Sequence, residues 1–125
     1  MAAVLRYRCF FLLKLINFVK KYTIMHFYHM TTPVFWEKFK DLDYCEAESL
    51  HTEGFIHCSY LEQVEPTLNL YFKGVDKVIL LEIDPSLLTS KLIIEPSRDG
   101  LLFPHIYGVI NKSAIVNVEE RLRIS

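Results

Sequence analysis

Three of the chain's five histidines stand where they could do chemistry. His29, His57 and His105 each close a short aromatic or apolar run beside small polar or turn residues. Their contexts are His29-Met30-Thr31-Thr32, His57-Cys58-Ser59 and Pro104-His105-Ile106-Tyr107-Gly108. Strand ends are where mixed domains present ligand groups, and an imidazole can donate a hydrogen bond or move a proton near pH 7. A buried histidine satisfied by backbone is the simpler account of any one of them, but three in one chain weaken that account. Glu53, just before Gly54, lies within reach of the His57 strand, and Glu95 ends another strand beside Pro96; for either one, a solvated carboxylate is the simpler account. Thr31, Thr32 and Ser59 read most simply as helix caps. Cys58 beside His57 suggests a thiol nucleophile, but adjacent strand residues face apart, so a small core side chain is the better reading.

Other chemistries lack their patterns. The sequence has no phosphate-cradling Gly-rich loop, no nucleophile elbow and no zinc spacing. His26 and His29 are three apart on a strand and point to opposite faces, so they cannot jointly grip a metal. A zinc site gathered from His29, His57, Cys58 and His105 would lack the close paired spacings usual in structural sites, and no metal is expected.

The elements that must position these residues begin at Met25. Residues 26–31 read as a short aromatic strand. Thr32 then caps a helix with Pro33 at its first position and Phe35, Trp36, Phe39 and Leu42 on one face. Residues 41–49 carry Asp41, Asp43, Glu46 and Glu48 and read as a solvated loop or broken helix. Gly54 releases a second buried run over 55–58. Ser59 with Glu62 three residues on reads as a capping box opening a helix toward Phe72. Pro66 predicts a kink or two short helices there, since proline costs roughly 3 kcal/mol inside a helix. Residues 77–83, KVILLEI, form the clearest central strand. Residues 92–95, 105–108 and 115–118 read as further short strands between turn residues. Two early helices and about six strands not in strict alternation give an α+β class.

Composition sets the outer limits. The chain of 125 residues has room for one ordinary domain, and 51% hydrophobic against 23% charged residues supply a core. Residues 1–24 hold five basic side chains and no acid, which leaves nine basic against fifteen acidic residues from Met25 on, a balance of −6. A domain of that charge does not advertise nucleic-acid binding. The leader's longest apolar run, Cys9 to Leu13, is far short of the roughly 18 residues a bilayer span needs. The leader reads as a mis-start or loosely attached extension, or as an amphipathic helix touching a membrane surface. Residues 25–125 are then the folded domain. Three cysteines without a CxxC pair or secretory signal point to a reducing, cytoplasmic setting.

Several segments together resemble a known family. Tyr28-His29-Met30-Thr31 followed by Trp36, Ser49-Leu50, Glu53-Gly54-Phe55-Ile56-His57-Cys58-Ser59, Gln63, residues 80–84, Glu95-Pro96 and Phe103-Pro104-His105-Ile106-Tyr107-Gly108 are similar in order and spacing to the family catalogued as domain of unknown function 952. The resemblance covers about three quarters of the chain and leaves out the leader. Ile94 stands where a Trp is common, and Asn69 sits in a shifted context.

That family is similar in fold to the ADP-ribosyltransferase superfamily, so the resemblance implies a split antiparallel sheet around a nicotinamide-dinucleotide cleft. It is nearest the branch with a histidine in each of the first two signature strands, as in RNA 2′-phosphotransferases. By that resemblance His29 would hydrogen-bond the ribose beside the nicotinamide, and His57 would face the base or the reacting ribose. His105 would be a third polar group, and Thr31, Ser59, Glu95 and Tyr107 would line the ligand. The carboxylate of the third signature strand has no match here, with His105 or Ile106 standing nearest, so Glu53 or Glu95 would have to supply the charge. The implied cofactor is NAD and the implied activity a glycosyl or phospho-ribosyl transfer. The alternative is a nucleotide- or protein-binding module that kept the cleft and lost the chemistry.

Overall fold

A computed structural model describes residues 25–123. The leader, with its amphipathic pattern and Cys9, lies outside them. The strands are β1 (Phe27–Thr31), β2 (Tyr44–Cys45), β3 (Ile56–His57), β4 (Lys77–Ile83), β5 (Lys91–Pro96), β6 (Leu102–Tyr107), β7 (Ile110–Asn111) and β8 (Ile115–Leu122). Among the described residues three α-helices intervene: α1 (Pro33–Glu37), α2 (Ser49–Thr52) and α3 (Leu61–Tyr71). The strands form antiparallel sheets ordered β1-β4-β8, β3-β6-β5 and β2-β7. The class is therefore α+β with antiparallel sheets.

β4 is apolar from Val78 to Leu81 and again at Ile83 because it is central and covered on both sides. Ile79, Leu81 and Ile83 face one buried cluster with Phe27, Ile56, Ile106 and Ile110. Val78 and Leu80 face the other, with Met30, Val64 and Leu68. Full burial of a side chain of this size stabilises by roughly 1.5–3 kcal/mol, so the two faces of one strand tie α3 to one side of the sheet and β3-β6 to the other. The two three-stranded sheets meet where Tyr28 and Ser59 exchange backbone hydrogen bonds of 2.7 and 2.8 Å.

The structure corrects three local readings. The first helix ends at Glu37, so Phe39 reaches the core from the following turn while Leu42 stays 42% exposed. The cap of α3 is Tyr60, whose N–H donates to Gln63 Oε1 at 2.9 Å, rather than the Ser59–Glu62 pair. Ser59 Oγ instead lies 3.3 Å from Thr67 Oγ1. α3 also runs unbroken through Pro66. The carbonyl that Pro66 leaves without a partner belongs to exposed Glu62 and can turn to water, while Val64 and Leu68 anchor the helix on either side.

The acidic stretch read as a loop contains the two-residue strand β2 and most of the approach to α2. β2 pairs with β7, and both are too short to show a period. Because Pro66 is tolerated rather than favoured, Pro66→Ala is expected to stabilise the protein by about 1–3 kcal/mol. A rise in the urea midpoint at constant m checks this, and an unchanged midpoint would show that the helix already accommodates the ring without cost.

Candidate functional site

The outer face of the β3-β6-β5 sheet gathers most of the candidate residues. β3 pairs with β6 so that Ile56 lies opposite Ile106 and His57 opposite His105. The isoleucines, both fully buried, point into the core, so by strand alternation both histidines rise from the other face. Their ring centroids are 5.3 Å apart, nearly perpendicular. Phe55 stacks on His105 at 4.2 Å and 21°, and touches the edge of His57 at 4.8 Å. That stack leaves the His105 side chain 11% exposed, against 56% for His57.

Each ring is held by a carboxylate. α2 ends at Glu53, whose N–H caps back to Ser49, and Gly54 turns the chain at φ +90° into β3. This turn brings Glu53 Oε2 to 2.5 Å from His57 Nε2. On the other side, β5 and β6 form a hairpin in which Glu95 lies opposite Phe103 and two positions from the His105 pair. Glu95 Oε1 accepts from His105 Nδ1 at 2.9 Å and from the Tyr107 hydroxyl. The Tyr107 bond, followed by the His105 bond, pulls the Glu95 carboxyl below its ordinary value, while the same carboxylate raises the Tyr107 phenol. Glu95 is thus an anion that only accepts, which fixes a proton on His105 Nδ1 and leaves Nε2 as the ring's second polar site. Among the described residues neither His57 Nδ1 nor His105 Nε2 has a protein partner.

His29 approaches the same strand from behind. Its Nδ1 donates to the His57 carbonyl at 2.9 Å, and the residue is 6% exposed. It therefore touches the backbone that carries His57 rather than standing beside the exposed rings. Burial lowers its pKa, the bond to the His57 carbonyl acts in the opposite sense, and the His57 charge lowers it further. The carbonyl acceptor requires a proton on Nδ1, and burial favours the neutral ring that carries it there.

The direction of that shift has a consequence for stability. The unfolded chain takes up the His29 proton near its ordinary value of 6.5, whereas the folded protein resists it to lower pH. Between those values the unfolded state binds more protons, so stability falls as pH drops below about 6.5, by at most about 1.4 kcal/mol per pH unit for one proton. His29→Gln, which can still donate to the carbonyl, is expected to flatten that part of the profile. Urea titrations from pH 7 to 5 check it, and an unchanged slope in the variant would assign the loss to other groups.

Residues 30–118 match the model of the family described as protein of unknown function, DUF952. The chain belongs to the DUF952 family. The match spans Glu53, His57, Glu95, His105 and Tyr107 and starts one residue after His29. Two solved structures of protein CC0527 from Caulobacter crescentus are similar to this DUF952 domain. The crystal structure is 28% identical, covers 77% of this chain and 85% of that one, and superposes with a TM-score of 0.71. The solution structure is 26% identical over 75% and 82% of the two chains, with a TM-score of 0.62. No curated protein matches the chain.

Other sequence candidates are placed elsewhere in the DUF952 domain. Ser59 is 2% exposed in the seam toward α3, away from the histidine face. Thr31 closes β1 opposite Ile79 and is also buried, while Thr32 accepts from Phe35 N–H at 3.3 Å as the cap of α1. Cys58 is buried on the core side, where burial pushes its thiol well above the ordinary value; Cys45 is raised to about 11 for the same reason. Neither thiol is suited to act as a nucleophile. Among the described residues no group of three or more His, Cys, Asp and Glu side chains is arranged to hold a metal, and no helix is long and apolar enough to cross a membrane.

On the histidine face His57 and Tyr107 are exposed while His105 is sheltered under Phe55. A groove of about 490 Å³ lies between the first turns of α3 and the β5-β6 loop, lined by Gln63, Pro66, Gly100 and Phe103 among others, and by no histidine. What the sequence did not show was the Glu95-His105-Tyr107 network and the Phe55 stack. The aromatic at the start of GFIHCS and the tyrosine two residues after His105 were the available signals.

Proposed function

We propose that this DUF952 domain binds a ribose-bearing nucleotide of the NAD or ADP-ribose class on the histidine face, and moves protons on its ribose or phosphate groups. The observation that carries the reading is the facing pair of imidazoles, His57 and His105, each fixed by its own carboxylate and each with a second nitrogen that has no partner among the described residues. A carboxylate that orients an imidazole and stabilises its protonated form is a recurring arrangement for general acid–base catalysis. Phe55 offers an aromatic edge for a base or ribose, and His29 holds the strand that presents His57. The resemblance to the ADP-ribosyltransferase superfamily supports the choice of ligand class, and a cytoplasmic setting, where such nucleotides abound, fits the cysteine usage.

A second reading is favoured by the exposure of two of the site's side chains. His57 and Tyr107 are both exposed, and an exposed pair suits reversible docking of a nucleotide or protein without turnover. Calorimetric titration of the full chain with ADP-ribose and with NAD tests the ligand class. Binding that is lost in His57→Ala and retained in the surface control Glu37→Ala is expected. Equal heats in wild type and His57→Ala, with the variant folded by circular dichroism, would contradict it.

A further inference from the structure

We infer that the histidine face is built for acid–base displacement at a phosphate ester of a ribose, such as the opening of a 2′,3′-cyclic phosphate, rather than for cleaving the nicotinamide–ribose bond. The inference rests on the reading above, that the face takes a ribose-bearing nucleotide, and names the reaction class. Glycosidic cleavage develops positive charge on the ribose and calls for a carboxylate directed at it. Both carboxylates of this face are engaged otherwise. Glu53 is bonded to His57, and the oxygen of Glu95 nearest the rings already accepts from His105 and Tyr107. The strand register adds Ile93, Phe103 and Lys91 to the same face and no other acid.

Displacement at phosphorus asks for a different set: one group to take a proton, one to give a proton, and a cation for the anionic phosphate. His57 Nδ1 and His105 Nε2, without a partner among the described residues, supply the first two. Lys91 pairs with Tyr107 across β5 and β6, rises from the same face, and has no ion pair among the described residues. It is the positioning cation for a phosphate lying over His57 and His105.

Exposure divides the two histidines. Water reaches His57, whose side chain is half exposed, so His57 Nδ1 is the base. His105 is sheltered by Phe55 and hydrogen-bonded through Nδ1 to Glu95, which leaves Nε2 as the acid. Water gives its proton to His57 as its oxygen bonds to phosphorus. The bond from phosphorus to the ribose oxygen breaks, its electron pair stays on that oxygen, and His105 donates the proton that makes it a hydroxyl. The product is a ribose phosphate monoester, and exchange of one proton each with solvent restores both rings.

The test is phosphorus NMR of the full chain with 2′,3′-cyclic AMP as probe. Conversion to a monoester is expected, with a bell-shaped pH dependence of kcat. His57→Ala and His105→Ala are each expected to lower kcat about 100-fold or more, removing one limb of the bell, whereas Lys91→Met raises KM. Amide spectra establish that each variant is folded. No monoester from the wild type, or turnover indifferent to both histidine variants, overturns the inference. Nicotinamide release from NAD also overturns it. If ADP-ribose still shifts the His57 and His105 signals in those cases, the ligand reading stands while the reaction class falls; if it does not, both fall.

Discussion

Gly108→Ala is expected to destabilise the protein by about 2–5 kcal/mol, read as a drop in the urea midpoint. Gly108 ends the β6 segment that carries His105 and Tyr107, and its φ of +154° is one that residues with a side chain rarely adopt. A Cβ there would stand 2.5 Å from Ser90 Oγ and 2.9 Å from Ser90 Cβ. Ser90 cannot simply swing aside, because its hydroxyl donates to the Val109 carbonyl at 2.6 Å. Two costs are therefore combined, one of backbone and one of overpacking. A double-mutant cycle with Ser90→Gly separates them: the overpacking share returns in the double variant and the backbone share does not. A loss below about 1 kcal/mol in Gly108→Ala would show that the turn relaxes freely.

Ile106→Ala is expected to cost a similar amount, about 2–5 kcal/mol, for a different reason. Ile106 is fully buried, pairs with Ile56 across β3 and β6, and stands between His105 and Tyr107 in sequence. Removing three carbons opens a void directly beneath the face that holds both imidazoles. The loss of stability should therefore come with altered signals for His57 and His105, although neither ring is touched. Stability loss with unchanged ring signals would mean that the outer face is held by its carboxylates and Phe55 alone. A loss under about 1 kcal/mol would mean that the core closes over the void.

These two positions also show what was readable beforehand. β4 was legible to its ends, because a strand covered on both faces shows a continuous apolar run, here Val78 to Leu81, and Asp84-Pro85 stops it. Glu53 was legible as lying within reach of the His57 strand because only Gly54, Phe55 and Ile56 separate the two, although a solvated carboxylate was the simpler account. The Glu95-His105-Tyr107 network was not, since it depends on the β5-β6 register, which is set by the turn at residues 97–101. There Ser97 N–H donates to the Leu101 carbonyl at 2.8 Å and Gly100 takes φ +82°. A shift of one residue would have turned Glu95 to the other face. The position of His29 was equally hidden, because strand alternation tells which side it faces but not that the His57 backbone lies there. Pro66 misled for a simpler reason: propensity counts the lost hydrogen bond, while tertiary anchoring by Val64 and Leu68 decides whether the helix continues.

The central claim is that a nucleotide seats on the face formed by His57, His105 and Phe55. Titrating isotope-labelled full chain with ADP-ribose and following the imidazole and aromatic signals tests it most directly. The expected result is a saturable set of shifts confined to Phe55, His57, His105 and Tyr107, with smaller changes at His29 through the His57 carbonyl, and their loss in His57→Ala. Shifts centred on Gln63, Gly100 and Phe103, or none at millimolar ligand, would contradict it.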